Sequence, residues 1–232
     1  MVYYIIRSKD RTSTSSSSSN FTVRLPHSLK NVKYIKLINA LIPKSWYQIS
    51  SQKNNDVLSF VDTSSTLRTN TITNASFSGS ELATEIQSQI RTLATDNNFN
   101  VVFNDTKSSF TISHTTNNFT LNDCTMLRFM GYSFLPVSGA NSYEGIKTSL
   151  NTPEFIYIIF KNYGGNGLVE NGMTFSFAIP AVGNYDDLIE YEPNCPQIMN
   201  MHGLNISEFS IELRNEANQI IEMQGGEWEI MV

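Results

Sequence analysis

The feature that most constrains this 232-residue chain is a two-residue alternation of apolar and polar side chains. In the segment "NFTVRLP", Phe21, Val23 and Leu25 alternate with Thr22 and Arg24. Neighbouring side chains of a β-strand point to opposite faces of the sheet, so this pattern is typical of a strand with one buried face. The alternation predicts a chain built mainly of half-buried strands.

The same alternation returns in the second half of the chain. It occurs in "MTFSFAIP" from 173 to 180, in "SEFSIELR" from 207 to 214, and in a closing segment with Trp228, Ile230 and Val232 on one face. About eight major strands can be recognised in this way, and no strand-helix-strand rhythm accompanies them. The predicted fold class is all-β: an antiparallel two-sheet sandwich with the topology of a single jelly roll.

One segment interrupts the strand pattern with a helix signal. Ser78 and Glu81 have the spacing of a capping box, in which two side chains satisfy the free backbone N–H groups at a helix start. Apolar residues then recur on one helical face at Leu82, Ile86, Ile90 and Leu93. The sequence therefore predicts a helix from about 80 to 95.

Short alternating segments follow this helix. Turn-forming pairs, Asn104-Asp105 and Asn117-Asn118, separate them and predict a β-meander. A short helix is predicted from Asp123, with Gly131 as its stop. We expect the helix and the meander to form an insert at about 72–132 in a jelly-roll domain that spans 20–232.

The N-terminal end of the chain differs from the rest in its charge. Residues 1–53 contain nine of the 16 basic residues and one of the 21 acidic residues, which leaves seven bases and 20 acids for the remainder. Two interpretations are open. The basic end faces nucleic acid or an acidic partner, or it pairs with the acidic C-terminal strands of the same fold.

The first 19 residues precede the first clear strand and end in a run of serines, Ser15 to Ser19. Because Ser-rich segments have little intrinsic structure, residues 1–19 are predicted to form a flexible basic N-terminal arm. A frayed N-terminus without a function is the alternative. The candidate functional residues of the arm are its apolar and basic side chains, Tyr3, Tyr4, Ile5, Ile6, Arg7, Lys9 and Arg11.

The chain lacks residue patterns that are typical of catalysis or metal binding. Cys124 and Cys195 lie far apart, and His27, His114 and His202 have no second ligand at metal spacing. Phosphate-binding and nucleophile motifs are also missing. We therefore expect two reduced thiols, no metal, no cofactor and no enzymatic activity.

Two other functional interpretations have specific residues behind them. Trp46, Tyr47 or Tyr163 could stack on a sugar ring if exposed, as in a carbohydrate- or receptor-binding jelly roll. A group of four carboxylates could bind calcium or act as paired acids, although an exposed loop is the simpler interpretation. These carboxylates are Asp186, Asp187, Glu190 and Glu192.

Composition adds two further expectations. No stretch approaches the ~18 apolar residues of a membrane span, and the N-terminal segment lacks the pattern of a secretory signal, so a protein made and kept on the cytosolic side is expected. Only 16% of the residues are charged, against about 25% in typical proteins. A weakly charged surface rich in hydroxyl and amide groups suits close contact with neighbouring subunits, although a compositional bias of the genome would also explain it.

Several motifs in a fixed order resemble those of a known family. The segment "SKDRTSTSSSSSNFTVRLPHSLKNVKYIKLINALIPKSWYQIS" is similar to the N-terminal signature of penton (minor capsid) proteins of virophages and of related polinton-like and large eukaryotic DNA viruses. The C-terminal "GLNISEFSIELRNEANQIIEMQGGEWEIMV" resembles their closing hairpin. The positions that carry the N-terminal resemblance are Ser8, Asp10, Arg11, Phe21, Val23, Leu25, Pro26, Val32, Ile35, Leu37, Ile42, Pro43, Ser45, Tyr47 and Ile49.

The resemblance implies a structural role and a set of partners. A protein of this kind has a single jelly roll, assembles as a homopentamer and fills the five-fold vertices of an icosahedral shell built from a double-jelly-roll major capsid protein. The expected location is the virion, after synthesis in the host cytoplasm. The N-terminal arm would add a strand to a neighbouring subunit or contact the genome non-specifically.

Overall fold

The structure, a computed structural model, describes residues 2–13, 17–150, 153–170 and 173–232. The chain divides into two compact units, the first made of Met1–Trp46 with Asn151–Val232 and the second of Tyr47–Leu150. The second unit is thus inserted into the sequence of the first. Strands account for most of the regular structure in both, which confirms the predicted all-β class.

Two four-stranded antiparallel sheets form the first unit. We call them sheet I and sheet II. In spatial order, sheet I contains β1 (Ile5–Arg7), β17 (Glu229–Met231), β3 (Asn39–Pro43) and β15 (Leu188–Tyr191). Sheet II contains β14 (Phe177–Pro180), β11 (Phe155–Phe160), β16 (Ile198–Arg214) and β2 (Asn20–Lys36).

Both sheets contribute to one hydrophobic core. Ile42 and Ile230 of sheet I and Phe160, Phe177 and Ile211 of sheet II are fully buried members of it. Side chains of a strand point alternately to its two faces, so the sheet faces that carry these residues are removed from water. The predicted two-sheet sandwich with a jelly-roll-like arrangement is therefore confirmed. A separate hairpin joins β12 (Leu168–Glu170) to β13 (Met173–Phe175).

The second unit contains a four-stranded sheet, a three-stranded sheet and two helices. One sheet has the order β5 (Leu67–Thr71), β4 (Val57–Val61), β8 (Phe119–Leu121) and β9 (Val137–Ala140). The other has the order β10 (Ser142–Glu144), β7 (Ser109–His114) and β6 (Phe99–Asn104). The helices are α1 (Gly79–Ala94) and α2 (Thr125–Phe129).

The helices agree with the sequence prediction. Ser78 and Glu81 form both bonds of the capping box at the start of α1, and Leu82, Ile86 and Ile90 are buried on one face. The short helix α2 lies within the predicted segment. Gly131 follows it with a φ of +93°, and the carbonyl oxygen of Ile146 would collide with any side chain there. A glycine is therefore required at this stop.

Two details of the predicted insert are wrong. The unit runs from 47 to 150 instead of 72–132, because β4 pairs with β8 through Phe60 and Leu121 and belongs to the same core. The predicted meander is limited to the hairpin of β6 and β7, because β8 does not pair with β7 and pairs instead with β4 and β9. The place beside β7 is taken by β10, whose Tyr143 hydroxyl donates a hydrogen bond to the Phe119 carbonyl over 2.9 Å.

A buried carboxylate organises the turn between β4 and β5. Asp62 Oδ1 accepts hydrogen bonds from the backbone N–H groups of Ser64 and Thr66, both over 2.9 Å, and Oδ2 accepts from Arg68 Nε over 2.8 Å. Burial alone would raise the pKa of Asp62, but these bonds and one from the Ser64 hydroxyl outweigh it and lower the pKa to about 2. The charged form therefore stabilises the folded hairpin.

We predict that the Asp62→Asn variant unfolds more easily than the native protein at pH 7. A hydrogen-bonded buried charge is worth about 1–3 kcal/mol, so the free energy of unfolding should fall by that amount in a urea titration. The contribution is complete above the ordinary pKa of 3.8 and is lost as the pH falls toward about 2. The difference between the two proteins should therefore shrink between pH 4 and pH 2.

The exposed residue Asp105 offers a matched control for this substitution. Asp105→Asn removes the same charge from a turn of the same unit and should leave the free energy of unfolding almost unchanged. Equal stabilities of native protein and Asp62→Asn at pH 7 would contradict the role given to Asp62.

Candidate assembly surface

The predicted N-terminal arm begins as a strand of sheet I. Ile5, Ile6 and Arg7 pair with Met231, Ile230 and Glu229 in an antiparallel ladder. The ladder extends to Tyr4 and Val232, whose backbone groups exchange two hydrogen bonds of 2.9 Å. The side chain of Ile6 is buried in the core between the two sheets. The apolar residues at the start of the chain thus have a core in their own subunit.

A polar cluster fixes the chain directly after β1. The Ser8 hydroxyl donates to the Glu227 carboxylate and accepts the backbone N–H of Trp228 over 2.9 Å. Arg11 Nη1 donates to the same carboxylate over 2.7 Å. Burial would raise the pKa of Glu227, but the bonds from Ser8 and Arg11 outweigh it, so the pKa is lowered.

The end of the serine run is also held in place. Trp228 Nε1 donates to the carbonyl of Ser18 over 2.6 Å, and the N–H of Leu213 donates to the carbonyl of Ser19 over 2.8 Å. Both serines are buried, whereas 14–16 lie outside the described residues. The prediction of a detached, flexible arm is therefore wrong for 4–11 and 17–19, because backbone pairing and an apolar contact hold these residues to the sandwich.

The basic N-terminal end pairs with acids of the C-terminal strands. Arg7 Nε lies 2.9 Å from Glu229, and Arg24 Nε lies 3.7 Å from Glu208. Together with the contact between Arg11 and Glu227, these ion pairs agree with the second interpretation of the charge asymmetry for three of the nine basic residues. Their worth is modest, because half-exposed ion pairs contribute about 0–1 kcal/mol each.

Some of the predicted arm residues stay exposed despite this pairing. Tyr3 and Ile5 are 61% and 46% exposed, and Lys9 is exposed as well. Tyr3 and Tyr4 also line a groove of about 430 Å³ beside the second half of β2. The other groove residues are Val2, Leu29, Lys30, Asn31, Val32, Lys33, Tyr34, Ile35, Lys36, Ile38, Phe209 and Val232.

Of the three residues behind the carbohydrate-binding interpretation, Trp46 is buried, and Tyr47 and Tyr163 are partly buried. Trp46 is 2% exposed and belongs to the core of the first unit. Tyr163 packs against Phe209 and donates its hydroxyl to the carbonyl of Glu208 over 3.1 Å. The prediction of an exposed sugar-binding platform at Trp46 is therefore wrong, because the indole ring lies in the hydrophobic core of the first unit.

The four carboxylates of the 186–192 segment do not converge on a single point. Asp187 Oδ2 accepts the backbone N–H of Asn184, and its carbonyl accepts the N–H of Lys44 over 2.8 Å. Lys44 is buried and donates through Nζ to the carbonyl of Gly183 over 2.5 Å. Burial lowers the pKa of Lys44, and the charge of Asp187 acts against this lowering. These contacts hold the loop before β15 in place, while Glu190 points to the exposed face of β15.

The surroundings of His114 and of the two cysteines are as follows. His114 Nε2 and Asp96 Oδ2 lie 2.9 Å apart within the second unit and share a hydrogen bond. Both thiols are free, with Cys124 buried and Cys195 exposed. Across the described ranges, no three His, Cys, Asp or Glu side chains are grouped as a metal site would need. No helix in the same ranges is long and apolar enough to cross a membrane.

Sheet I leaves two strand edges open. β1 pairs only with β17, and β15 pairs only with β3, within the described part of the chain. Leu188 on the second edge is 52% exposed, and Glu190 beside it is exposed too. Unpaired strand edges are the natural sites for adding a further strand. Sequence reasoning singled out the first edge as an arm and overlooked the second as an assembly surface, although "LIEY" alternates in the way that an edge strand does.

We predict that Ser8→Ala weakens the attachment of β1. The substitution leaves the buried N–H of Trp228 without its acceptor and removes one donor from Glu227, so the free energy of unfolding should fall by about 1–3 kcal/mol in a urea titration. Ser207, exposed on β16, supplies the control, because Ser207→Ala removes a hydroxyl from the surface of the same unit. Equal effects of the two substitutions would refute the anchoring role of Ser8.

Comparison with known proteins gives a similarity of fold. No protein-family model matches the chain, and no curated protein matches its sequence. Among solved structures, the crystal structure of the selenomethionine-labelled mavirus penton protein is similar, with a TM-score of 0.56 and 11% sequence identity. The match covers 99% of this chain and 98% of the mavirus chain. The predicted resemblance to penton proteins is thereby confirmed at the level of the fold.

Proposed function

We propose that the protein is a structural capsid protein, a penton that forms pentamers at the five-fold vertices of an icosahedral virion. The observation that carries this proposal is the fold shared with the mavirus penton protein over 99% of the chain. The order of the N-terminal and C-terminal motifs along the chain supports it as well, since that order is a property of the sequence and separate from the shared fold.

The proposal includes the surroundings of such a protein. Its neighbour in the shell is a double-jelly-roll major capsid protein, its location is the virion, and it is made in the host cytoplasm. Its action is to bind and close the shell, with no chemical turnover. The low share of charged residues favours this role, since little charge must be desolvated where subunits meet.

The assembly role of the N-terminal residues takes a new form within this proposal. Because β1 is paired in its own sheet, it contributes an exposed strand edge instead of a reaching arm. Contact with the genome has less support, since the charges of Arg7 and Arg11 are already balanced by Glu229 and Glu227.

We predict that the purified full-length protein forms a closed oligomer. Static light scattering should give a mass near five times the 26.1 kDa of one chain. The mass should stay constant over a wide range of protein concentration, because a closed ring offers no free contact for further growth. A single-chain mass at every concentration and salt level would contradict the proposal.

A further inference from the structure

The open edge of β1 presents backbone groups as well as side chains. In an antiparallel ladder, backbone N–H and C=O groups point alternately toward one neighbour and away from it. The backbone groups of Tyr4 and Ser8 form hydrogen bonds on the side of β17. Ile6 lies two residues from each of them, so its backbone groups also point toward β17. The backbone groups of Ile5 and Arg7 therefore point away from β17, out of the sheet edge.

The edge of β15 has the same property on the other side of sheet I. The carbonyl of Asp187 accepts a hydrogen bond from the N–H of Lys44, which lies directly after β3. Ile189 and Tyr191 follow Asp187 at two-residue intervals, so their backbone groups also point toward β3. The backbone groups of Leu188 and Glu190 consequently point away from β3. Sheet I thus has a row of unpaired backbone donors and acceptors on its first strand, β1, and another on its fourth strand, β15.

The two edges carry opposite charge on one face of the sheet. Arg7, Glu229, Leu41 and Glu190 stand directly opposite one another along the four strands, so they share the outer face. Lys9 joins Arg7 in a groove on this face, and exposed Glu192 follows Glu190. Lys9, Glu190 and Glu192 form no ion pair within 4 Å in the described residues. The charge of Lys9 acts on Glu227 from a longer distance, so Glu190 and Glu192 are the two charges left open to a partner.

We propose that neighbouring copies of this chain join the β1 edge of one copy to the β15 edge of the next, continuing sheet I from subunit to subunit. Arg7 and Lys9 then face Glu190 and Glu192 of the adjacent copy. The inference rests on the proposed structural role, and it names the surface through which the copies meet.

The topology of sheet I suits this contact. All three strand pairs are antiparallel, so β1 and β15 run in opposite directions. A copy that is rotated about an axis along the strands keeps its strand directions, so its β15 edge forms a further antiparallel pair with the β1 edge of the first copy. The contact joins two different patches, which is the kind of interface that closes a ring.

A proline substitution tests the backbone part of the contact. The N–H of Leu188 points outward, so Leu188→Pro removes a donor from the open edge while the ladder to β3 keeps its bonds. Leu188→Ala is the control, because it shortens the same exposed side chain and keeps the donor. We expect light scattering to show at least a tenfold loss of association for Leu188→Pro and less than a threefold loss for Leu188→Ala.

Charge reversal tests the side-chain part. Lys9→Glu and Glu190→Lys should each lower the association constant about threefold to tenfold at low salt, and the double variant should recover most of the loss. Glu222→Lys reverses an exposed acid elsewhere in the first unit and should leave association unchanged. Urea titration of each variant separates a loss of contact from a loss of fold.

Each outcome decides between the two proposals. A native oligomer that is weakened by Leu188→Pro and rescued by the double charge variant supports both. A native oligomer that is indifferent to Leu188→Pro and to both charge reversals overturns the edge contact and leaves the structural role standing. A native protein that stays a single chain overturns the edge contact together with the proposed pentamer.

Discussion

The first unit depends on the closing strand, β17, being paired on both sides. It bonds to β1 on one side and to β3 on the other, so residues from opposite ends of the chain complete sheet I. The cluster of Ser8, Glu227 and Trp228 fixes the same junction with polar contacts. β17 contributes Ile230 to the core and holds β1, which contributes Ile6. Without β17, β1 would have no neighbouring strand in the described chain.

Local signals in the sequence were sufficient for the longer elements. The alternation around Phe21 and Val23 gave the start of β2, and the pair of Ser78 and Glu81 marked the first turn of α1. These features depend on residues within a few positions of one another, so a single sequence displays them. The all-β class followed from their sum.

The errors concern pairings between distant residues. Nothing near Phe119 indicates that β8 joins β4, because the reason lies in a pairing of Leu121 with Phe60 far earlier in the chain. The serine run was equally misleading, since Ser18 and Ser19 are held by Trp228 and Leu213, about 200 residues away. The candidate edge at Leu188 was missed for a related reason: a strand becomes an edge only through the absence of a neighbour, which no local pattern encodes.

The second unit, 47–150, has a consequence for how such a chain can change. Its buried residues form a hydrophobic cluster drawn entirely from its own sequence, and the chain leaves the first unit after residue 46 and re-enters it at 151. A segment with a self-contained core can be exchanged as a cassette without repacking the host core.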